Sequence, residues 1–386
     1  MLERARGIND QLVGWRREIH MYPELGFQET RTAALVAETL DSLGYRVQTG
    51  VGRTGVIGEL GDGSPVVAIR ADMDALPIQE ENSAPYASRT PGVMHACGHD
   101  AHTAIALGVA TLLAEETFPG TVRFLFQPAE EVEDEEGLSG APRMAEQGAM
   151  DGVDAVLALH VDASMPVGEI AVEPGPSSAG VDSFWAVVRG QGAHGAYPHK
   201  GLDPVHLAAH VILALHGIVS RRLSPFDPAV ITVGSIHGGQ AANVIPEEVE
   251  LSGTIRYESD SVQQQIHAEM ERAFATARTL GGDFDLKIQA GGKPIINDER
   301  IVALLRRVAG DLLGEDKIAP WVKGMGAEDY SVFTDMAPGA MFSLGCRIEG
   351  DERKGHNPTF DVDEGCLPVG AAILAESALR CLRAGA

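Results

Sequence analysis

Cysteine is scarce in this 386-residue chain: Cys97, Cys346, Cys366 and Cys381 are scattered, with no C-x-x-C pair. That scatter excludes a dense disulfide framework. It fits a reducing compartment, where a lone cysteine in a polar cluster serves as a ligand or reactive group. Cations are short as well. The 30 Lys and Arg against 55 Asp and Glu leave a formal charge of −25, which argues against nucleic acid and anionic membrane surfaces as partners. No apolar run is expected to reach the length of a membrane span. Residues 1–7 carry no secretory hydrophobic run, so the cytoplasm is the expected location. There are no internal repeats and no low-complexity tails. With 44% hydrophobic and 22% charged residues the composition is that of a globular protein, and the length predicts two domains.

What is present is organised around Met94-His95-Ala96-Cys97-Gly98-His99-Asp100-Ala101-His102. Three histidines, a cysteine and an aspartate in nine residues offer lone pairs to a metal. Thiolate and imidazole favour zinc, cobalt, nickel or manganese over calcium and magnesium. Gly98 allows the sharp fold that turns Cys97 and His99 toward one point. Any one of these residues alone would read as a buried cysteine or a surface histidine; the cluster does not.

Apolar spacing predicts helices over 8–21 and 29–43, then strands over 45–48, 55–60 and 66–69. The last of these runs into Arg70-Ala71-Asp72-Met73-Asp74, two aspartates just past a buried strand, where open α/β sheets place their sites. A helix is expected over 103–116. A strand at 122–126 leads to Glu130 and Glu131, and a strand at 155–159 ends before His160. Several strands thus deliver a ligand-type residue at their carboxyl ends, which is the strongest architectural signal in the chain. Residues 184–289 read β-α-β-β-α-β, the ferredoxin-like order. This is expected to be an insertion, because α/β character resumes afterwards with a helix at 299–313, a strand at 340–344, His356 in a Gly-His-Asn-Pro loop, and a helix at 367–382. The expected architecture is an α/β protein: a mixed-sheet α/β/α metallohydrolase domain (1–176 and 292–386) with an inserted lid and dimerisation domain (177–291).

Adjacent carboxylates such as Glu130 and Glu131 face opposite ways on a strand, but in a loop both can address one site, one on metal and one on water. The acidic run Glu133, Asp134, Glu135 and Glu136 that follows is expected to be a solvated face. His194 is flanked by glycines on a loop, within reach of a ligand. Asn243 and Arg256 have the chemistry to hold a substrate carboxylate. His206, His210 and His216 fall on an amphipathic helix and read as non-functional.

The strings RADMDALP, MHACGHDAH, QPAEE, GAHGAYPHKGLDP, NVIP, GTIR, GAEDY and HNPTFDVDE, in this order, resemble the M20 metallopeptidases. The branch they are most similar to is that of aminoacylases, hippurate hydrolases and auxin-conjugate amidohydrolases, and the resemblance spans nearly the whole chain. It implies metal binding by Cys97, His99, Glu131, His160 and His356, with the thiolate touching two divalent ions (manganese, zinc, cobalt or nickel). It implies Glu130 as the general base acting on water held by the metals, and His194 as the stabiliser of the oxyanion, crossing to the other subunit of a homodimer or higher homo-oligomer. In the wider family a histidine ligand stands in the place of Asp72, and an aspartate near Asp74 supports the ligands from behind. Neither aspartate is assigned to metal here, and a structural role at the strand end is equally open. The chain departs from the branch after the glutamate pair, where Val132-Glu133-Asp134-Glu135-Glu136-Gly137 replaces small glycine-rich residues; loop shape and substrate preference are affected, not the glutamates.

The expected activity is metal-dependent hydrolysis of N-acyl amino acids to a carboxylic acid and a free amino acid. The rival enzyme is a dipeptidase or exopeptidase on the same scaffold, which needs a site for a free α-amine. A non-catalytic binding protein would be expected to have lost the base or a ligand. A zinc-stabilised structural protein would want one closed four-ligand site.

Overall fold

The computed structural model describes residues 1–351 and 353–385. They form two compact units. One comprises Met1–Ser177, Ile296–Val322 and the chain from Asp329 onward; the other comprises Ser178–Ile295 and Lys323–Glu328. The short Lys323–Glu328 stretch is far from the rest of its unit in sequence. It is tied there by the Ala179 N–H donating to Gly326 O at 2.8 Å and by Lys323 Nζ at 3.0 Å from Glu258.

The first unit is built on a seven-stranded sheet. Gly120–Gln127, Val66–Asp72, Ala155–Pro166 and Gly339–Arg347 lie side by side and parallel. Gly55–Asp62 and then Arg46–Val51 extend one side antiparallel, and Ile170–Ala171 closes the other. The central strands are nearly continuous apolar runs such as Val67-Ala68-Ile69 and Ala155-Val156-Leu157, as strands buried on both faces require. Helix His99–Ala114 is buried almost all round, between the sheet and helices Asn9–Met21 and Leu367–Ala384, so it has no polar face to present to water.

Three features differ from the reading of the sequence. The central helix starts at His99, not at 103. Gly98 takes a left-handed φ of 97° immediately before it, and a Cβ there would meet Val161 at 2.3 Å. His99 and His102 therefore sit in the helix's first turn. His160 lies within strand Ala155–Pro166, not beyond its end. Its neighbour Val66–Asp72 pairs with it only through Ile69 opposite Leu157, while pairing with Gly339–Arg347 continues past His160. The two strands part beyond Ile69 and Leu157, although Val66–Asp72 runs on to Asp72, and this parting opens the position. Finally, the 21-residue stretch Glu364–Ala384 is long and apolar enough to cross a membrane, contrary to expectation, but most of it is buried in the core of the first unit. It is a core helix.

In the second unit, Gly180–Arg189, helix Pro204–Arg221, Ala229–His237, Glu248–Tyr257, helix Asp260–Thr279 and Asp283–Ala290 follow one another. The sheet is antiparallel throughout, in the order 229–237, 248–257, 180–189, 283–290. This is the ferredoxin-like arrangement. Along Gly180–Arg189 burial alternates, with Phe184, Ala186 and Val188 in the core and Trp185 exposed, the period-2 pattern of a sheet covered on one face. Asp203 and Ser259 cap the two helices by accepting from Val205 N and Val262 N. The strand Ala229–His237 is an edge.

Candidate metal centre and catalytic base

Within the first unit, the carboxyl-end loops and the start of the central helix bring Cys97, His99, Glu131, His160 and His356 together. Cys97, His99 and His160 each offer one donor atom within 4.8 Å of the others; so do Cys97, Glu131 and His356; so do His99, Glu130 and Glu131. Cys97 is common to the first two groups, and the third brings Glu130 to His99 and Glu131. Cys97 Sγ is 3.5 Å from His160 Nε2, and His356 Nε2 is 3.0 Å from Glu131 Oε1.

Each donor is oriented from behind. His99 donates Nδ1–H to the main-chain oxygen of Asp74 at 2.9 Å, with Asp74 Oδ1 at 3.2 Å. This leaves Nε2 as the lone-pair atom, and that buried Nε2 has no hydrogen-bond partner among the described residues. His160 donates Nδ1–H to Val161 O at 2.8 Å, which leaves Nε2, the atom facing Cys97 Sγ, as its lone-pair atom. The other carboxylate oxygen of Asp74 accepts from the Glu131 N–H at 3.0 Å, so one aspartate fixes two donor segments. His356 adopts φ 60° and donates its own N–H to Ala96 O at 2.7 Å, which ties its loop to the cysteine segment. Asp72 is fully buried and accepts from Arg70 Nη1 at 2.6 Å and from His102 Nδ1 at 2.7 Å. His102 Nε2 is taken by the Val161 N–H at 2.9 Å, so His102 braces the strand and is not free to coordinate through that atom.

The donor set, three imidazoles, a thiol and a carboxylate, suits divalent metal. Burial pushes the Cys97 thiol up, but the imidazoles of His99, His160 and His356 outweigh it and bring it down to about 6. Hydrogen bonds to Cys97 and Glu131, with burial opposing, raise His356 to about 10. Thiolate and carboxylate are thus held by positive charge at this point, which is the environment a bound cation supplies.

Sequence reasoning missed the support behind this cluster. Arg16 is completely buried. It donates to Asp100 Oδ2 at 2.8 Å and Asp361 Oδ1 at 2.5 Å, with Glu364 Oε1 at 3.3 Å. Asp100 follows His99, and Asp361 lies five residues after His356, so one guanidinium joins two donor-bearing segments. His20 adds Nδ1 at 2.8 Å from Asp100 and Nε2 at 3.3 Å from Glu80. Burial would lower its pKa, but Asp100 and Glu80 raise it to about 9. The available signal was a charged residue, Arg16, on the same buried helical face as Leu12 and Ile19. The acidic run also needs correction at one residue. Glu133, Glu135 and Glu136 are exposed, but the Asp134 side chain is buried, accepting from the Glu136 and Leu138 amides and from Arg53 and Arg143. It organises the loop.

In the second unit, His194 and Asn243 are neighbours. Ala193–His194 pairs antiparallel with Val244–Ile245, and the Gly195 N–H donates to Asn243 O at 2.8 Å. His194 is exposed, and its Nδ1 accepts from the Ala196 N–H at 3.0 Å, which leaves Nε2–H free to donate. Arg256 is not with them. It sits near the far end of strand Glu248–Tyr257, eight residues and about 26 Å of extended chain from Glu248. Burial lowers its pKa.

The role of Asp74 is directly testable. Asp74→Ala releases the Glu131 amide and half the hold on His99, and loss of such a supporting group typically costs about ten- to hundredfold in metal affinity. Chelator competition on the folded variant should show that loss; affinity equal to wild type would contradict it.

The sequence pattern of peptidase family M20/M25/M40 matches residues 68–380. The chain is 40% identical over 384 residues to N-acetyl-L-cysteine deacetylase of Bacillus subtilis, covering 97% of this chain and 89% of that one. It is 38% identical to IAA-amino acid hydrolase ILR1-like 2 of Arabidopsis thaliana, covering 99% and 88%. Its structure matches a dinuclear metal binding peptidase of Bacillus subtilis from the M20 family with a TM-score of 0.85 and 33% identity, covering 98% and 99%. Four metal-type donors around one thiol, a glutamate beside them and these likenesses over nearly the full length lead to one conclusion: the chain belongs to peptidase family M20/M25/M40 and is a metal-dependent hydrolase of amide bonds.

Proposed function

We propose that the protein is an N-acyl amino acid amidohydrolase, converting its substrate to a carboxylic acid and a free amino acid. Two divalent ions would be held by Cys97, His99, Glu131, His160 and His356, with manganese, zinc, cobalt or nickel suiting these donors. The observation that carries the reading is the pair of donor groups sharing Cys97 with Glu130 next to them. Bound there, such ions polarise the amide carbonyl and lower the pKa of water. Glu130 takes the proton from the attacking water as its oxygen bonds to the carbonyl carbon. It then delivers that proton to the amide nitrogen as the C–N bond breaks, so the leaving group departs as a neutral amine. His194, whose Nε2–H is free to donate, stabilises the oxyanion. Asn243 of one protomer and Arg256 of the partner subunit hold the carboxylate of the amino acid portion. Relatives that by name deacetylate N-acetyl-L-cysteine and hydrolyse IAA-amino acids support an acyl amino acid substrate. The buried thiols and absence of disulfides among the described residues support a cytoplasmic enzyme.

The distance between Arg256 and the His194–Asn243 pair supports a homodimer in which the two ends of one inserted domain serve different active sites. The edge strand Ala229–His237 leaves backbone groups for a twin strand. Val230 and Ile236 on it, and Leu213 on the adjacent helix, are exposed apolar side chains, the material of a two-fold interface.

Glu130→Gln keeps size but cannot accept the proton. Activity on acetyl, benzoyl and indole-acetyl amino acids should fall roughly a hundredfold to ten-thousandfold while metal content stays at the wild-type level. Normal turnover would remove Glu130 as the base, and turnover of dipeptides in place of acyl amino acids would favour a dipeptidase. Mixing Glu130→Gln with His194→Ala and letting subunits exchange tests the crossing of His194. Random pairing puts half the dimers in mixed form with one complete site each, so about a quarter of wild-type activity should return. No recovery after demonstrated exchange contradicts it.

A further inference from the structure

Glu29 is a carboxylic acid with no exposed surface, outside the donor cluster and remote from it in sequence. Its Oε1 accepts the backbone N–H of Ala129 at 2.8 Å, and its Oε2 accepts the hydroxyl of Thr54. Ala129 immediately precedes Glu130 and is itself unusual. It is fully buried with φ 45°, a left-handed backbone that is strained for a residue with a Cβ. Such a conformation persists only where its surroundings enforce it.

The surroundings are built for that. A Cβ on Gly26 would lie 2.4 Å from Val132 and 3.0 Å from the Cβ of Ala129. A Cβ on Gly140 would lie 1.6 Å from the carbonyl oxygen of Pro128, and the Gly140 N–H donates to Ala129 O at 2.8 Å. Both peptide groups of Ala129 are therefore held, one by Gly140 and one by Glu29. The consequence concerns the two carboxylates that follow. Neighbouring side chains on an extended strand point apart, yet Glu130 and Glu131 both reach His99. The left-handed step at Ala129 falls just where the chain leaves strand Gly120–Gln127 and enters this pair.

We propose that Glu29 is a positioning residue for the general base, acting through the Ala129 amide to hold the turn that aims Glu130. The inference rests on Glu130 being the base. Its requirement is for an acceptor oxygen at the right reach, not for charge. Burial, opposed by the Thr54 hydrogen bond and aided by repulsion from Asp74, brings the Glu29 carboxyl up to about 7, so the site does not insist on an anion.

Steady-state kinetics and metal analysis of purified variants test this. Glu29→Gln keeps an oxygen at the same reach and should hold kcat within about threefold of wild type. Glu29→Asp retains the charge but withdraws the acceptor by one methylene, and Glu29→Ala removes it. Each should lower kcat roughly ten- to hundredfold, the scale of an ångström-size misplacement, with KM and metal content unchanged. Ala129→Gly added to Glu29→Asp should recover part of kcat, because glycine adopts the left-handed turn without enforcement. A role in stability alone would not produce that recovery. If Glu29→Ala does not fold, Glu29→Asp carries the comparison. Wild-type kcat in Glu29→Asp, a Glu29→Gln variant as slow as Glu29→Asp, or no recovery with Ala129→Gly would each overturn the proposal. A fully active Glu130→Gln would instead overturn the reading of the base on which it stands.

Discussion

Donors from several separate stretches of chain must meet at the sulfur of Cys97, and most of the first unit can be understood as meeting that demand. Four parallel strands end at the same side of the sheet, so residues after Asp72, after Gln127 and along Ala155–Pro166 arrive at one level. The left-handed Gly98 lets the cysteine loop pass directly into a buried helix, so His99 enters the cluster from the helix start. Behind the donors, Asp74 holds His99 and Glu131 together, and Arg16 joins the segments carrying His99 and His356. Burying that guanidinium with three carboxylates is costly by itself, and breaking such a network by removing one partner typically costs about 3–5 kcal/mol. Here it also fixes donor geometry, which a packed apolar side chain could not do.

The donors were legible in the sequence because their chemistry is in their type: cysteine, histidine and glutamate placed after apolar strand runs can be recognised one segment at a time. The alternation and helical spacing of the second unit were legible for the same reason, since each element announces its period locally. The bracing residues were not. Arg16 acts through partners 84 and 345 residues away, and nothing near it in the chain says so. Glu29 reads as the first residue of a helix, and its contact with Ala129 spans 100 positions. The start of the central helix is read late because Gly98 reads as a sharp fold in a ligand loop, whereas it serves as the residue before the first turn. His160 was put past a strand end because the sequence shows where a strand is apolar but not how far its neighbours accompany it. The helix at Glu364–Ala384 has the length and hydropathy of a membrane span, and only its packing shows that protein surrounds it.

The second unit adds a different lesson. Asn243 and Arg256 both offer N–H donors to a carboxylate, and residue type alone reads them as one subsite. The strand between them separates them, while His194 and Asn243 are brought together by a two-residue pairing of loops. Chemical type proposes a partner; the register of the sheet decides which partners share an end.

The central claim is that one thiolate serves two metal positions. X-ray absorption on the protein loaded with two equivalents of cobalt tests it most directly. The account predicts one sulfur scatterer per cobalt together with nitrogen and oxygen, a second cobalt at about 3.5–4 Å, and loss of both the sulfur and the cobalt–cobalt signal in Cys97→Ser. Two cobalt ions bound with no metal–metal scattering, or a spectrum unchanged in Cys97→Ser, would contradict it.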